Sequence, residues 1–292
     1  MKKKRKVVEA DDLFGEDAFA ENTDDLFDSG AAVATPKDAA APIQVKDARG
    51  KLTPEARLAR FSELRELVDS HIGKRPSAKL AKKPEQVRNT AWQHLFSLAT
   101  TKEQMEQVVE MIPRWRDAKR VFTPRMTEAF IRRCEELHCP TLALQVFADH
   151  TKYGVDLPNQ SAARQLLHSL HSEHPLQESI TLSALLAVYK LPSISDDLVS
   201  CAMLTSACFK ANTPQSITVA KALVPSLQDL LAKNKPKKWR YPADPSVRNE
   251  SKHLAWLVWT LAKVEKALTK QNQPYDWLRK WREQSGHSQI AT

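Results

Sequence analysis

Residues 123–171 read TPRMTEAFIRRCEELHCPTLALQVFADHTKYGVDLPNQSAARQLLHSLH, and the punctuation of this stretch sets the fold. Thr123 offers a side-chain oxygen to cap a helix, and Pro124 takes the first helical position, where its missing N–H costs nothing. Met126, Phe130, Ile131, Cys134 and Leu137 then recur at helical spacing on one face. Pro140 restarts the chain, Ala143, Val146 and Phe147 form a second apolar stripe, and Gly154 is a natural left-handed stop. After Pro158, the residues Ala163, Leu166, Leu167 and Leu170 fall at i, i+3, i+4 and i+7. Two antiparallel helices and a third, joined by tight turns, form the unit of a helical-hairpin repeat. The expected fold is therefore all-α, an α-solenoid of such pairs.

The run Ala143-Leu144-Gln145-Val146-Phe147, followed by Lys152-Tyr153-Gly154-Val155 and Pro158, resembles the second helix and closing turn of a pentatricopeptide repeat. The helix carrying Arg132-Arg133-Cys134 matches the first helix of that repeat in place and length. The resemblance covers Thr123 to Leu170, and its wording is most similar to helical-repeat proteins of the mitochondrial small ribosomal subunit. It implies a matrix location, with rRNA and other small-subunit ribosomal proteins as partners. Members that read RNA sequence use two side chains per repeat, which align here near Glu128 or Ala129 and at Pro158 or Asn159. Neither pairing is a recognisable code. The resemblance therefore implies a scaffold touching structured RNA and protein together, rather than a sequence-specific factor.

Outward from this stretch the same grammar continues. Thr53-Pro54-Glu55 opens a helix with Leu58, Phe61, Leu64, Leu67 and Val68 on its apolar face; the basic linker Lys74 to Lys83 follows. Trp92, Leu95, Phe96 and Leu98 mark the next helix, and Thr101 with Gln104 forms a capping box for one carrying Met105, Val108, Val109 and Ile112. On the other side, helices are expected over Ile180 to Leu191, after a Ser195 cap, from Thr213-Pro214, through Leu254 to Val264, and around Trp277 and Trp281. The expected organisation is a disordered leader and linker over 1–50, a helical-repeat domain over 53–285 and a flexible tail over 286–292.

Composition narrows the function. The chain has 292 residues and six glycines, of which only Gly73 and Gly154 lie between Lys51 and Ser285. Phosphate-binding loops and dinucleotide-binding turns need glycine for positive φ or close backbone approach, so neither can be drawn. No apolar run is long enough to span a membrane. Four cysteines, Cys134, Cys139, Cys201 and Cys208, lack the spacing of a metal site, and reduced, buried thiols are expected. His168, His171 and His174 follow at i, i+3 and i+6 and read as a polar helix face. No nucleophile has an evident oriented base, so neither enzyme activity, a cofactor nor a small-molecule substrate is expected.

Charge is more informative. Residues 9–28 hold nine acidic residues and no basic one, with Asp11-Asp12-Leu13-Phe14 echoed by Asp24-Asp25-Leu26-Phe27. The remainder carries 44 basic residues against 26 acidic ones, the electrostatic footprint of a nucleic-acid partner. Three clusters mix cations with aromatic rings, as RNA backbone and base contacts require. They are Arg114, Arg116, Lys119 and Arg120 beside Trp115; Lys235, Lys237, Lys238, Trp239, Arg240 and Tyr241; and Arg279, Lys280 and Arg282 beside Trp277 and Trp281. At the N-terminus Lys2, Lys3, Lys4, Arg5 and Lys6 resemble a nuclear import signal, and the acids behind them are unlike a mitochondrial transit peptide. The alternatives to a ribosomal scaffold are thus a nuclear adaptor using the Asp-Asp-Leu-Phe motifs and a mitochondrial RNA-stability or translation factor.

Overall fold

The computed structural model describes residues 52–72, 87–238 and 245–286. The leader, the Lys2–Lys6 run, the Asp-Asp-Leu-Phe motifs, the Lys74–Lys83 linker, Trp239, Arg240, Tyr241 and residues 287–292 lie outside them. The chain divides into two units, Met1–Ala59 and Arg60–Thr292. The described residues are all-helical, with no β-strand among them. The helices are α1 (Pro54–His71), α2 (Asn89–Leu98), α3 (Lys102–Asp117), α4 (Pro124–Glu136), α5 (Pro140–Ala148) and α6 (His150–Tyr153). They continue with α7 (Gln160–Glu173), α8 (Leu176–Val188), α9 (Leu198–Ala211), α10 (Pro214–Lys233), α11 (Pro245–Lys270) and α12 (Asp276–Gln284).

Local chemistry accounts for most boundaries. The Thr123 hydroxyl accepts from the Met126 N–H at 3.4 Å, with Pro124 in the first turn of α4. Thr101 accepts from Gln104 N–H at 3.3 Å, and the Gln104 side-chain oxygen accepts in return from the Thr101 N–H at 3.3 Å. Thr213 and Ser216 close a second reciprocal cap at the start of α10. The stripe Met126, Phe130, Ile131 and Cys134 is fully buried.

Several boundaries differ from expectation. The helix predicted to run to Gly154 breaks at Asp149, whose carboxylate caps α6 by accepting from Lys152 N–H at 3.0 Å. Gly154 then stops α6 in the left-handed region at φ 63°. A Cβ there would lie 2.7 Å from Cγ and Cδ of Arg116, whose aliphatic stem covers the turn. Gly154→Ala should lower stability by about 1.5 kcal/mol in urea unfolding, because it combines left-handed strain with that contact. The α8 helix starts four residues before Ile180, directly after Pro175. At α9 the cap is Asp197 rather than Ser195, which lies in a 3₁₀ turn over Ile194–Asp196. On α1 only Phe61 and Val68 are buried, while Leu58 and Leu67 are exposed.

Consecutive helices pair as α2 with α3, α4 with α5, α7 with α8, α9 with α10 and α11 with α12. Helices two or three apart in the order also touch: α2 packs on α4, α4 on α7, α7 on α9 and α9 on α11, and α5 packs on α8 and α10 on α12. Near the first pairs an aromatic group fills the interior. Trp92 meets Trp115 edge-on at 5.4 Å and Phe122 at 5.0 Å, and Phe96 meets Phe130 at 5.5 Å. Trp115 is buried in the last turn of α3, which continues through Pro113 rather than ending at it.

The α9 helix differs from the rest. Every residue from Val199 to Phe209 is buried, so this run has no solvated face. Contacts to α7, α8, α10 and α11 enclose it. A helix covered on all sides can carry only apolar or self-satisfied polar groups. The Thr205 hydroxyl accordingly donates to the Cys201 carbonyl at 2.7 Å.

Candidate nucleic-acid interface

Most guanidinium groups of the predicted clusters are engaged within the fold. In the first cluster, Arg114 pairs with the Asp69 carboxylate and also donates to the Asp69 carbonyl at 2.9 Å, joining α3 to α1. Arg116 pairs with Asp117 at 2.7 Å. Arg120 donates to the Val87 carbonyl at 3.0 Å and lies over the Trp115 ring at 4.4 Å. Lys119, exposed and left-handed at φ 58°, projects from the end of the helix. The third cluster is similar. Arg282 is 4% exposed and pairs with Glu265, tying α12 to α11. Arg279 donates to the Tyr275 hydroxyl at 2.6 Å and lies 3.9 Å from Glu265. Lys280 is exposed and makes no such contact with another described residue. Trp281 is buried, and Trp277 is half-buried against the core.

The second cluster is different. Lys235, Lys237 and Lys238 are exposed just beyond α10, and none forms an ion pair with another described residue. The base of this segment is fixed, since the Trp281 indole N–H donates to the Asn234 carbonyl at 3.0 Å.

Two of the residues that the resemblance aligns with base-reading positions, Glu128 and Asn159, are bonded to each other. The Asn159 amide donates to the Glu128 carboxylate at 2.6 Å, and its carbonyl oxygen caps α7 by accepting from Ala162 N–H at 2.9 Å. Both Asn159 groups are thus used within the fold, the oxygen in capping α7 and the amide in holding α4 to its start.

His168 and His171 of α7, with His174 at its C-terminal cap, do not form a solvated face. His171 is 4% exposed and meets the Trp259 ring edge-on at 5.5 Å; His168 stacks on Trp256 at 4.3 Å. The cause is tertiary: α7 and α11 converge on one side of α9. His171 Nδ1 lies 2.7 Å from the His168 carbonyl, which can only accept, so Nδ1 carries the proton. Burial, with the neighbouring His168 charge second, pushes the His171 pKa down to about 3. His253, whose Nε2 lies 3.0 Å from the Ser161 hydroxyl, is pushed down to about 4 mainly by burial. Glu135 stands beside His168; burial raises its pKa, but hydrogen bonds from His168 and Gln165 outweigh that and hold it below the usual range.

His171, His174, Pro175, Leu176 and Lys210 line a shallow cavity of about 270 Å³ next to this group. Among the described residues, no group of three or more His, Cys, Asp or Glu is arranged to hold a metal ion. The four thiols are free and buried, and burial raises Cys201 and Cys208 to about 11. No described helix is long and apolar enough to cross a membrane.

A further basic surface escaped the sequence reading. Trp259, Lys263, Lys266 and Lys270 are all exposed on α11, at i, i+4, i+7 and i+11. Val264-Glu265 and Ala267-Leu268-Thr269 separate these lysines in sequence, so a search for dense basic runs passes over them. Helical spacing was the signal that gathers them. No protein-family model, curated protein or solved structure matches the chain.

Proposed function

We propose that the protein is a non-catalytic scaffold of a ribonucleoprotein particle, a structural component of the mitochondrial small ribosomal subunit that contacts rRNA and neighbouring proteins. The observation carrying this reading is the exposed Lys235, Lys237 and Lys238 run, held on an anchored segment and free of acidic partners among the described residues. Cations left unpaired by the fold remain available to phosphates, whereas Arg114, Arg116 and Arg282 serve the fold itself. The pairing of consecutive helices and the contacts between helices two or three apart in the order support a degenerate pentatricopeptide-like solenoid as the platform. The Asn159–Glu128 bond supports contact with RNA shape over base reading.

Sucrose-gradient sedimentation of the C-terminally tagged protein from mitochondria and nuclei tests the assembly. Co-migration with the small subunit at moderate salt is expected; a nuclear protein sedimenting free of ribosomes overturns the reading. In binding assays with rRNA fragments, changing Lys235, Lys237 and Lys238 together to Gln should flatten the slope of log affinity against log salt by about two units.

A further inference from the structure

The exposed face of α11 is built unlike an ordinary solvated helix face. Trp259 is 41% exposed, a large indole left in water on a helix whose neighbouring apolar side chains are buried. Its ring is braced from the protein side: His171 meets it edge-on at 5.5 Å and His168 lies at 6.4 Å. The Lys263 ammonium sits over the indole, 3.1 Å from the ring centroid. Lys266 and Lys270 extend the row along the same face, about 16 Å from Trp259 to Lys270 at 1.5 Å per residue. That length accommodates about five stacked nucleotides at 3.4 Å each. Between residues 251 and 270 the only carboxylate is Glu265, and it faces Arg282 and Arg279. A second cation, Lys210 from the end of α9, lies near enough to Lys263 to depress its pKa, behind the larger effect of burial. The lysines of this row therefore repel one another with no described acid to offset them, which is a cost to the folded protein unless an anion covers the face.

We propose that the Trp259–Lys263–Lys266–Lys270 face of α11 is a binding site for single-stranded RNA, in which a base stacks on Trp259 and the lysines meet consecutive phosphates. This rests on the reading of the protein as a ribonucleoprotein scaffold and names a site on it distinct from the Lys235–Lys238 segment. An indole offers every base a flat apolar surface, and a row of lysines at helical spacing follows a phosphate backbone without reading sequence. Lys263 takes a double part: it covers the indole in the free protein and moves to a phosphate when a base replaces it. A polyanion fits better than an apolar partner, because the face offers one aromatic ring among cations rather than a continuous apolar patch. Single strands fit better than duplex, because only unstacked bases can lie on the ring.

The test is fluorescence anisotropy with the full chain and a mixed-sequence oligoribonucleotide, single-stranded or annealed to its complement. Trp259→Ala should weaken single-strand binding about tenfold and leave duplex binding little changed, while Trp259→Phe retains most of the affinity. Changing Lys263, Lys266 and Lys270 to Gln should flatten the single-strand salt slope by about two units. All are exposed positions, and circular dichroism checks that each variant keeps the wild-type helicity. If the wild-type chain binds RNA and none of these variants alters it while the Lys235, Lys237, Lys238 variant does, the α11 site is overturned and the scaffold reading stands. If the wild-type chain binds no RNA, but polyglutamate binds in a manner dependent on the α11 lysines, both readings fall and the face belongs to an acidic protein partner.

Discussion

Asp197→Ala is expected to destabilise the protein by about 3 kcal/mol, read as a drop in the midpoint of urea unfolding at unchanged slope. The carboxylate performs two tasks at one buried position, where it is 7% exposed. It caps α9 by accepting from Ser200 N–H at 2.9 Å, and it accepts from Arg164 Nε at 3.0 Å within an ion pair reaching from α7. Loss of a cap costs about 1 kcal/mol. Removing one partner of a buried ion pair costs about 3–5 kcal/mol, but the Arg164 side chain is 26% exposed and can rehydrate in part, which cuts that figure to about 2. Asp197→Asn separates the contributions: the amide oxygen still caps α9, so a loss of about 2 kcal/mol should remain from the charge. Equal losses for the two variants would mean that the cap contributes nothing. Burial pushes the Asp197 pKa up, but hydrogen bonds from Arg164 and Ser200 outweigh it and hold the carboxyl below its ordinary range. Its stabilisation therefore persists through mild acid and is lost only below the ordinary carboxylate pKa.

Stability should fall between pH 7 and pH 5, and His171 should account for about 2 kcal/mol of the loss. In the folded protein His171 titrates at about 3 and is neutral throughout that window; in the unfolded chain it titrates at the ordinary 6.5. The unfolded state thus binds the extra proton, and unfolding becomes easier as pH falls below 6.5. At 1.36 kcal/mol per pH unit, a group withheld from protonation over 1.5 units contributes about 2 kcal/mol. His253, held down to about 4, acts in the same direction with a smaller weight because it is only half-buried. Asp197 and Glu135, both held below the ordinary carboxylate range, stay ionised and leave the window to the histidines. His171→Phe keeps a ring against Trp259 and removes this titrating group, so the variant should lose about 2 kcal/mol of the pH dependence between 7 and 5, the contributions of His253 and His94 remaining. A variant with the wild-type pH dependence would place the protonated groups elsewhere.

Helix ends were legible wherever a residue acts on its own neighbours. Thr123 with Pro124, Thr101 with Gln104, Thr213 with Pro214, and Gly154 all sit where the pattern put them, because a cap bonds an N–H three residues away and needs nothing else. Asp149 was missed because the apolar stripe was carried on to Gly154 as one helix, and Asp197 because Ser195 stood nearby as a rival cap. What the buried carboxylate of Asp197 does was settled by Arg164 on another helix.

The basic clusters were less legible, and for a different reason. A lysine or arginine reads as a free cation in sequence, yet Arg114 is met by Asp69, 45 residues away, and Arg282 by Glu265, 17 residues away. Sequence by itself determined the all-helical character, the caps at Thr101, Thr123 and Thr213 and most of the apolar stripes that face inward, since these follow from spacing and from contacts within a turn or two. Tertiary structure alone decided that α9 is covered on every side, that His171 is buried rather than solvated, and which cations are met by acids among the described residues. Those outcomes depend on where helices distant in sequence converge, and no local pattern contains that information.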